Sequence, residues 1–218
     1  MVVTDTMHTP DPHAHTVGLD ACLDLINTLE LGAVPQEHLP AAEDAVTFLV
    51  ERDLAHDADL RRQLARDGET AWLARVRDAR AALRELWDAQ VEGHPPPGPA
   101  LATLNALLDR GPRVELRPTL GGVEVAHRHP DDDPTGEALA RAAAPLVEAI
   151  ATGHTDRFRI CANDVCRWVF EDASRARRRR WCDMATCGNR AKVRRYRSRR
   201  RDEPDIDAGT GPDRPSVE

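Results

Sequence analysis

The chain has 218 residues, a formal net charge of −7 and only 4% aromatic residues. That length can bury a core of its own, built mainly from Leu, Val and Ala. No apolar run approaches the eighteen or more residues of a membrane-spanning helix. No glycine-rich phosphate loop, HExxH pair or Ser/His/Asp set in a recognisable context is present, so an enzyme is not expected.

Residues 1–16 are polar, carry Asp5 and Asp11, and lack the apolar stretch of a secretory signal. They read as a disordered leader, with His8, His13 and His15 as solvated residues and not a metal site. The expected setting is the cytoplasm, where thiols stay reduced. The first helix is expected over residues 18–30, where Leu19, Cys22, Leu23, Ile26 and Leu29 form one apolar stripe. Cys22 then acts as a small buried hydrophobe. Asp24 and Asn27 flank the stripe, and Asn27 is expected to bond a neighbouring loop. A second helix opens at Pro40 and runs to about residue 52, burying Val46, Leu49 and Val50. A short helix over 57–65 stops near Gly68. The longest follows over 69–91, with Trp72, Val76, Leu83, Leu86 and Trp87 as core positions.

Three prolines at 95–97 break that helix. Pro99 opens the next, with Leu101, Leu104, Leu107 and Leu108. Val114 and Leu116, then Val123 and Val125, alternate with polar neighbours around Leu120-Gly121-Gly122, which predicts a β-hairpin over 113–127. His127 and His129 are read as surface residues. A last helix runs from Thr135 to about residue 152, with Pro145 expected to kink or split it. A helical domain is therefore expected over 17–153. Residues 202–218, DEPDIDAGTGPDRPSVE, form an acidic tail expected to be disordered.

Residues 154–201 differ in kind. Between Arg157 and Arg201 lie sixteen basic and four acidic residues, so this stretch carries +12 and the rest of the chain −19. Such asymmetry suggests a nucleic-acid module on an acidic body. Four cysteines fall here as two pairs, Cys161/Cys166 and Cys182/Cys187, each with four intervening residues. Ala162, Asn163 and Asp164 suit the turn that would aim one pair at a single ion. Four sulfurs give one structural zinc with no open position for catalysis. Two disulfides or four buried thiols are the alternatives, and disulfides would need an oxidising compartment. Strands are expected over 157–160 and 168–170, an exposed polar connection over 172–180, and a helix after Cys182 with Val193 and Tyr196 packed inward. The fold class is mainly α with one small β-hairpin, ending in a treble-clef-like finger.

The stretch WCDMATCGNRAKVRRYRSRR, with Cys187-Gly188-Asn189-Arg190 at its centre, resembles the signature of the CGNR zinc-finger family. CANDVCRWVFEDASR before it resembles the same family, and LDACLDLINTL over 19–29 resembles the opening of the ABATE domain that precedes such fingers. The resemblance implies a stress-related transcription regulator that binds DNA. One departure is visible: where the family often has a polar residue after DASR, this chain has Arg175-Ala-Arg-Arg-Arg-Arg180.

Duplex DNA is accordingly the expected partner. The contacting residues would be Arg175, Arg177, Arg178, Arg179 and Arg180 on the loop and Asn189, Arg190, Lys192, Arg194, Arg195, Arg197 and Arg199 on the helix. Most would meet phosphate, with Asn189, Arg190 and Arg194 as the candidate base readers. RNA or the ribosome is the alternative, with Trp168, Trp181 and Tyr196 either stacking on bases or forming the finger's small core. A protein-interaction adaptor with a purely structural finger is a third. The helical domain would form a homodimer, sense a small molecule or recruit a partner. No membrane partner is expected.

Overall fold

The computed structural model describes residues 18–128 and 132–202. The expectations of disorder for 1–16 and the tail from Glu203 onward, and the surface reading of the His127 and His129 side chains, lie outside the described residues. The fold is mainly α-helical, with short antiparallel strand pairs.

Helix α1 (Leu19–Asn27) buries Cys22, Leu25 and Ile26 on one stripe. It stops three residues earlier than the stripe predicts, because the Thr28 hydroxyl donates back to the Leu25 carbonyl at 2.7 Å. The chain then enters a two-residue strand, β1 (Leu29–Glu30), paired with β2 (Gln36–Glu37). Burial pushes the Cys22 thiol up to about 12, which fits an inert core residue. Helix α2 (Ala42–Glu51) has Ala41 as its N-cap, so Pro40 precedes the helix and does not occupy its first turn. Helix α3 (Asp57–Asp67) ends at Gly68, which takes φ 82° and at once starts α4 (Glu69–Glu92).

Helix α4 is the axle of the body. It packs against α1, α2, α3, α5 (Gly98–Leu108) and α6 (Pro134–Ala151). Trp72 and Trp87 are both fully buried, as anticipated. The Trp72 indole N–H donates to the Thr135 hydroxyl at 2.7 Å, which satisfies the one polar atom that its burial would otherwise strand. Truncating either tryptophan would cost about 3–5 kcal/mol. Helix α6 stays continuous through Pro145, so the expected split does not occur; Ala138, Leu139, Ala142, Ala143 and Leu146 are all fully buried on either side of it. Its N-terminus is capped by Asp133, which accepts the Gly136 N–H at 3.0 Å.

The predicted hairpin is present as β3 (Arg113–Thr119) and β4 (Gly122–Arg128), turning at Leu120-Gly121. In its register Leu116 opposes Val125 and Pro118 opposes Val123, so the apolar residues share one face. That face is bare: Val114, Leu116, Val123 and Val125 are all more than half exposed.

Candidate metal centre and basic surface

The chain divides into two compact units, Met1–Cys182 and Asp183–Glu218. The first takes in a second hairpin, β5 (Phe158–Ile160) with β6 (Val169–Glu171), as well as the helices. Between its strands, Cys161 and Cys166 sit on a tight turn. The Asn163 carbonyl accepts the N–H groups of Cys166 and Arg167 at 2.8 and 3.2 Å, and Arg167 takes φ 59° to leave the turn. The Cys161 N–H donates to the Trp168 carbonyl at 2.8 Å, closing the ladder.

This knuckle is bonded into the helical body. The Asn27 side chain reaches 142 positions along the chain to Val169, where its amide nitrogen donates to the carbonyl and its oxygen accepts the N–H, both at 3.0 Å. Asn27, Phe158 and Val169 are buried. Trp87 stacks on Phe158 with ring centroids 4.0 Å apart and donates its indole N–H to the Arg159 carbonyl at 3.1 Å. A Cβ on Gly32 would come within 2.8 Å of the Val165 carbonyl, so the loop between β1 and β2 passes the knuckle where only glycine fits.

The connection from 172 to 180 is not simply exposed. Asp172 is fully buried and organises it. One carboxylate oxygen accepts the Ser174 hydroxyl at 2.5 Å and the Ser174 N–H at 3.0 Å; the other accepts the Arg179 N–H at 2.8 Å. The Ser174 hydroxyl first, and then these N–H groups with Arg159 nearby, hold this carboxyl below the usual carboxylate range. The arginines themselves project outward: Arg175, Arg177, Arg178, Arg179 and Arg180 are all exposed. Arg177 takes φ 51° and pairs with Asp156, Arg179 lies over the Phe170 ring, and Arg180 lies over Trp181.

In the second unit, Asp183 caps a turn at Met184–Gly188 by accepting the Thr186 N–H and hydroxyl, both at 2.7 Å. Helix α7 (Asn189–Asp202) follows directly. Asn189 uses its amide nitrogen on the Ala185 carbonyl at 2.9 Å, which ties the start of the helix to the turn that carries Cys187. Arg190, Lys192, Arg194, Arg195 and Arg197 are exposed; the side chain of Arg199 lies outside the described residues. Thr186, Asn189, Arg190, Val193, Arg194 and Arg197 line an open groove of about 800 Å³. Val193 and Tyr196 do not pack inward. They are 48% and 60% exposed, on a helix that packs chiefly against its own preceding turn. Trp168 is also exposed and Trp181 half-buried, so these aromatics do not build a small core.

The four predicted ligand sulfurs, of Cys161, Cys166, Cys182 and Cys187, lie within 4.8 Å of one another. Cys166 and Cys182 are 3.6 Å apart, sulfur to sulfur. Sulfurs about 2.3 Å from one zinc at tetrahedral angles would be about 3.8 Å apart. Burial, followed by the Cys166 and Cys161 thiols, pushes the Cys182 thiol well up, so holding these sulfurs together as thiolates would take a cation among them. An all-sulfur, four-donor set suits zinc and leaves no position for substrate. Asn27, Trp87, Gly32 and Asp172, which hold this region in shape, carry no spacing signal; only the polarity of Asn27 at the edge of an apolar stripe marks it in the sequence.

A family model for the ABATE domain, described as "Putative stress-induced transcription regulator", matches residues 19–153. The chain belongs to the ABATE family. A second family model, the CGNR zinc finger, matches residues 157–200 and takes in all four clustered cysteines. A search of curated proteins found no match. Both resemblances read from the sequence are thereby established, and with them a zinc finger whose cysteines can hold one zinc ion. No helix among the described residues is long and apolar enough to cross a membrane. In the ABATE domain a cavity of about 200 Å³, lined by Leu54, His56, Asp59, Pro134, Glu137 and Arg141, falls short of the roughly 300–1,000 Å³ of ordinary ligand pockets.

Proposed function

We propose that the chain is a zinc-dependent, DNA-binding transcription regulator of the cytoplasm, not an enzyme, whose finger meets duplex phosphate through its arginine loop and α7. One observation carries this reading. Arg175, Arg178, Arg190, Lys192, Arg195 and Arg197 are exposed and have no ion pair among the described residues. Cations left unneutralised at this density are what a polyanion recruits. Base readout falls to the groove face of α7, where Asn189, Arg190 and Arg194 stand beside Val193. Arginine there suits guanine, and an aliphatic side chain suits the thymine methyl. Selection of bound sequences from random duplex DNA by the zinc-loaded protein tests it. Recovery of a motif supports the reading, and no enrichment at any salt concentration removes it.

The exposed aromatics favour a second reading, single-stranded RNA. Trp168 is 37% and Tyr196 60% exposed, and both could stack on unpaired bases. Competition between duplex DNA and single-stranded RNA separates the two. For the helical domain we propose self-association through the bare face of β3 and β4. An isolated two-stranded hairpin is marginal in water, and a second copy of an uncharged apolar strip covers the first without stranding a charge. Sedimentation of Leu116→Asp against the parent chain measures it. A dimer that persists in the variant places the contact elsewhere.

A further inference from the structure

We infer that the helical domain prebuilds half of the zinc site, and that Asn27, Trp87 and Gly32 are the positioning residues that do so. Small zinc fingers ordinarily fold only with their metal, because nothing else holds their ligands together. Here the Cys161/Cys166 turn has other support. Strand β6, which follows it, is hydrogen-bonded in both directions by a buried amide from α1. Strand β5, which precedes it, is stacked on and hydrogen-bonded by Trp87 of α4. The turn itself has Gly32 against the Val165 carbonyl. Phe158 and Val169 belong to the same buried apolar cluster as the helices. Three separate elements of the body therefore fix the strands and turn that carry the first two sulfurs.

Residues from Asp183 onward form a compact unit of their own, in which α7 packs on the turn Met184–Gly188. Metal therefore acts on the two halves unequally. Cys161 and Cys166 wait in place, while the segment bearing Cys187 and the basic helix depends on the ion. Loss of zinc would release the basic helix and leave the knuckle folded. A side chain of the helical domain thus sets how firmly the finger keeps its metal, without touching the metal.

Hydrogen exchange on the full chain, zinc-loaded and then stripped by chelator, tests the first part. The amides of Cys161 and Val169 should stay protected after stripping, while those of 186–197 become open. Loss of protection across the whole of 157–197 would overturn the inference. The second part is read by the rate at which a chromogenic chelator removes zinc. Asn27→Ala removes two buried hydrogen bonds and should speed release roughly tenfold. Gly32→Ala, which crowds the Val165 carbonyl, should also speed release. Leu49→Ala is the control. Leu49 is fully buried on α2, which packs chiefly against α3 and α4. It should lower the melting temperature without changing zinc release. Equal acceleration by Leu49→Ala and Asn27→Ala would mean that release follows global unfolding, and the positioning role would fall.

Discussion

Arginine does opposite work in the two halves of this protein. In the helical domain it is consumed internally. Arg80 is 4% exposed and holds Glu37 through two 2.6 Å hydrogen bonds, with Thr28 as a third partner. Arg84 bonds Asp88, Arg75 bonds Asp133, and Arg61 bonds both Glu43 and Asp57. In the finger, six exposed cations have no such partner among the described residues. The same residue type is structural where carboxylates surround it and available where they do not. A net charge of −7 conceals this, because the acidic excess sits in the body.

Loss of metal should have the largest effect. Cys166→Ser or Cys182→Ser should take the protein from one zinc per chain to none and abolish nucleic-acid binding. Structural zinc in small fingers contributes ~10–16 kcal/mol of apparent binding energy, and no set of surface arginines replaces that. Elemental analysis and a duplex-binding titration check it. Retained binding without zinc would mean that the arginine loop acts alone.

Next come paired substitutions in the two regions. Arg80→Ala leaves Glu37 partly buried without its main partner and should cost about 3 kcal/mol of stability, with little change in intrinsic affinity for nucleic acid. Arg195→Glu with Arg197→Glu should do the reverse, leaving stability within about 0.5 kcal/mol while weakening binding to every sequence. Denaturant unfolding and duplex titration of both variants check this, and a variant that moved both quantities would mean that the two sets of arginines do not act separately.

What the sequence made legible follows the same division. Ligand chemistry admits few residue types, so the cysteine pairs announced the metal site. Alternation announced β3 and β4, and the 3.6-residue stripes announced the helices. Contacts joining distant positions left less trace. The polarity of Asn27 announced a bond to another segment but not its partner, Val169, which it meets because α1 packs beside β6. Asp172 looked like part of a solvated run, since a buried carboxylate is recognisable only from the N–H groups that converge on it. Val193 and Tyr196 have helical spacing, but periodicity presumes a surface to pack on. The strands β1 and β2 are two residues each, too short to show a period.

A smaller effect is expected with pH. The Asp172 carboxyl titrates below its unfolded value, so its contribution is complete above the ordinary carboxylate range and is lost as pH falls through the depressed folded value. Thiolate protonation strips zinc in acid as well, so the clean measurement is Asp172→Asn at neutral pH. The Ser174 and Arg179 amides should lose exchange protection while those of α4 keep theirs. Unchanged protection at both would mean that the loop is held by other contacts.

The smallest effect concerns the boundary where basic chain gives way to acidic. After α7 the sequence carries Glu203, Asp205, Asp207, Asp213 and Glu218 against Arg214 alone. Sixteen residues reach at most roughly 55 Å, and a helix the length of α7 is about 21 Å long, so this segment can pass along the whole basic helix. Tethering gives it a high effective concentration there, in competition with phosphate. Deleting 203–218 should tighten duplex binding a few-fold at low salt, and the gain should shrink as the Debye length falls to about 8 Å near physiological ionic strength. If the finger neutralises ~6 phosphates, log K should fall against log salt with a slope of about −5 in the truncated chain, and less steeply in the intact one. Equal affinities for the two chains would confine the acidic segment to solubility. A salt-independent affinity in both would remove the unpaired arginines from function altogether.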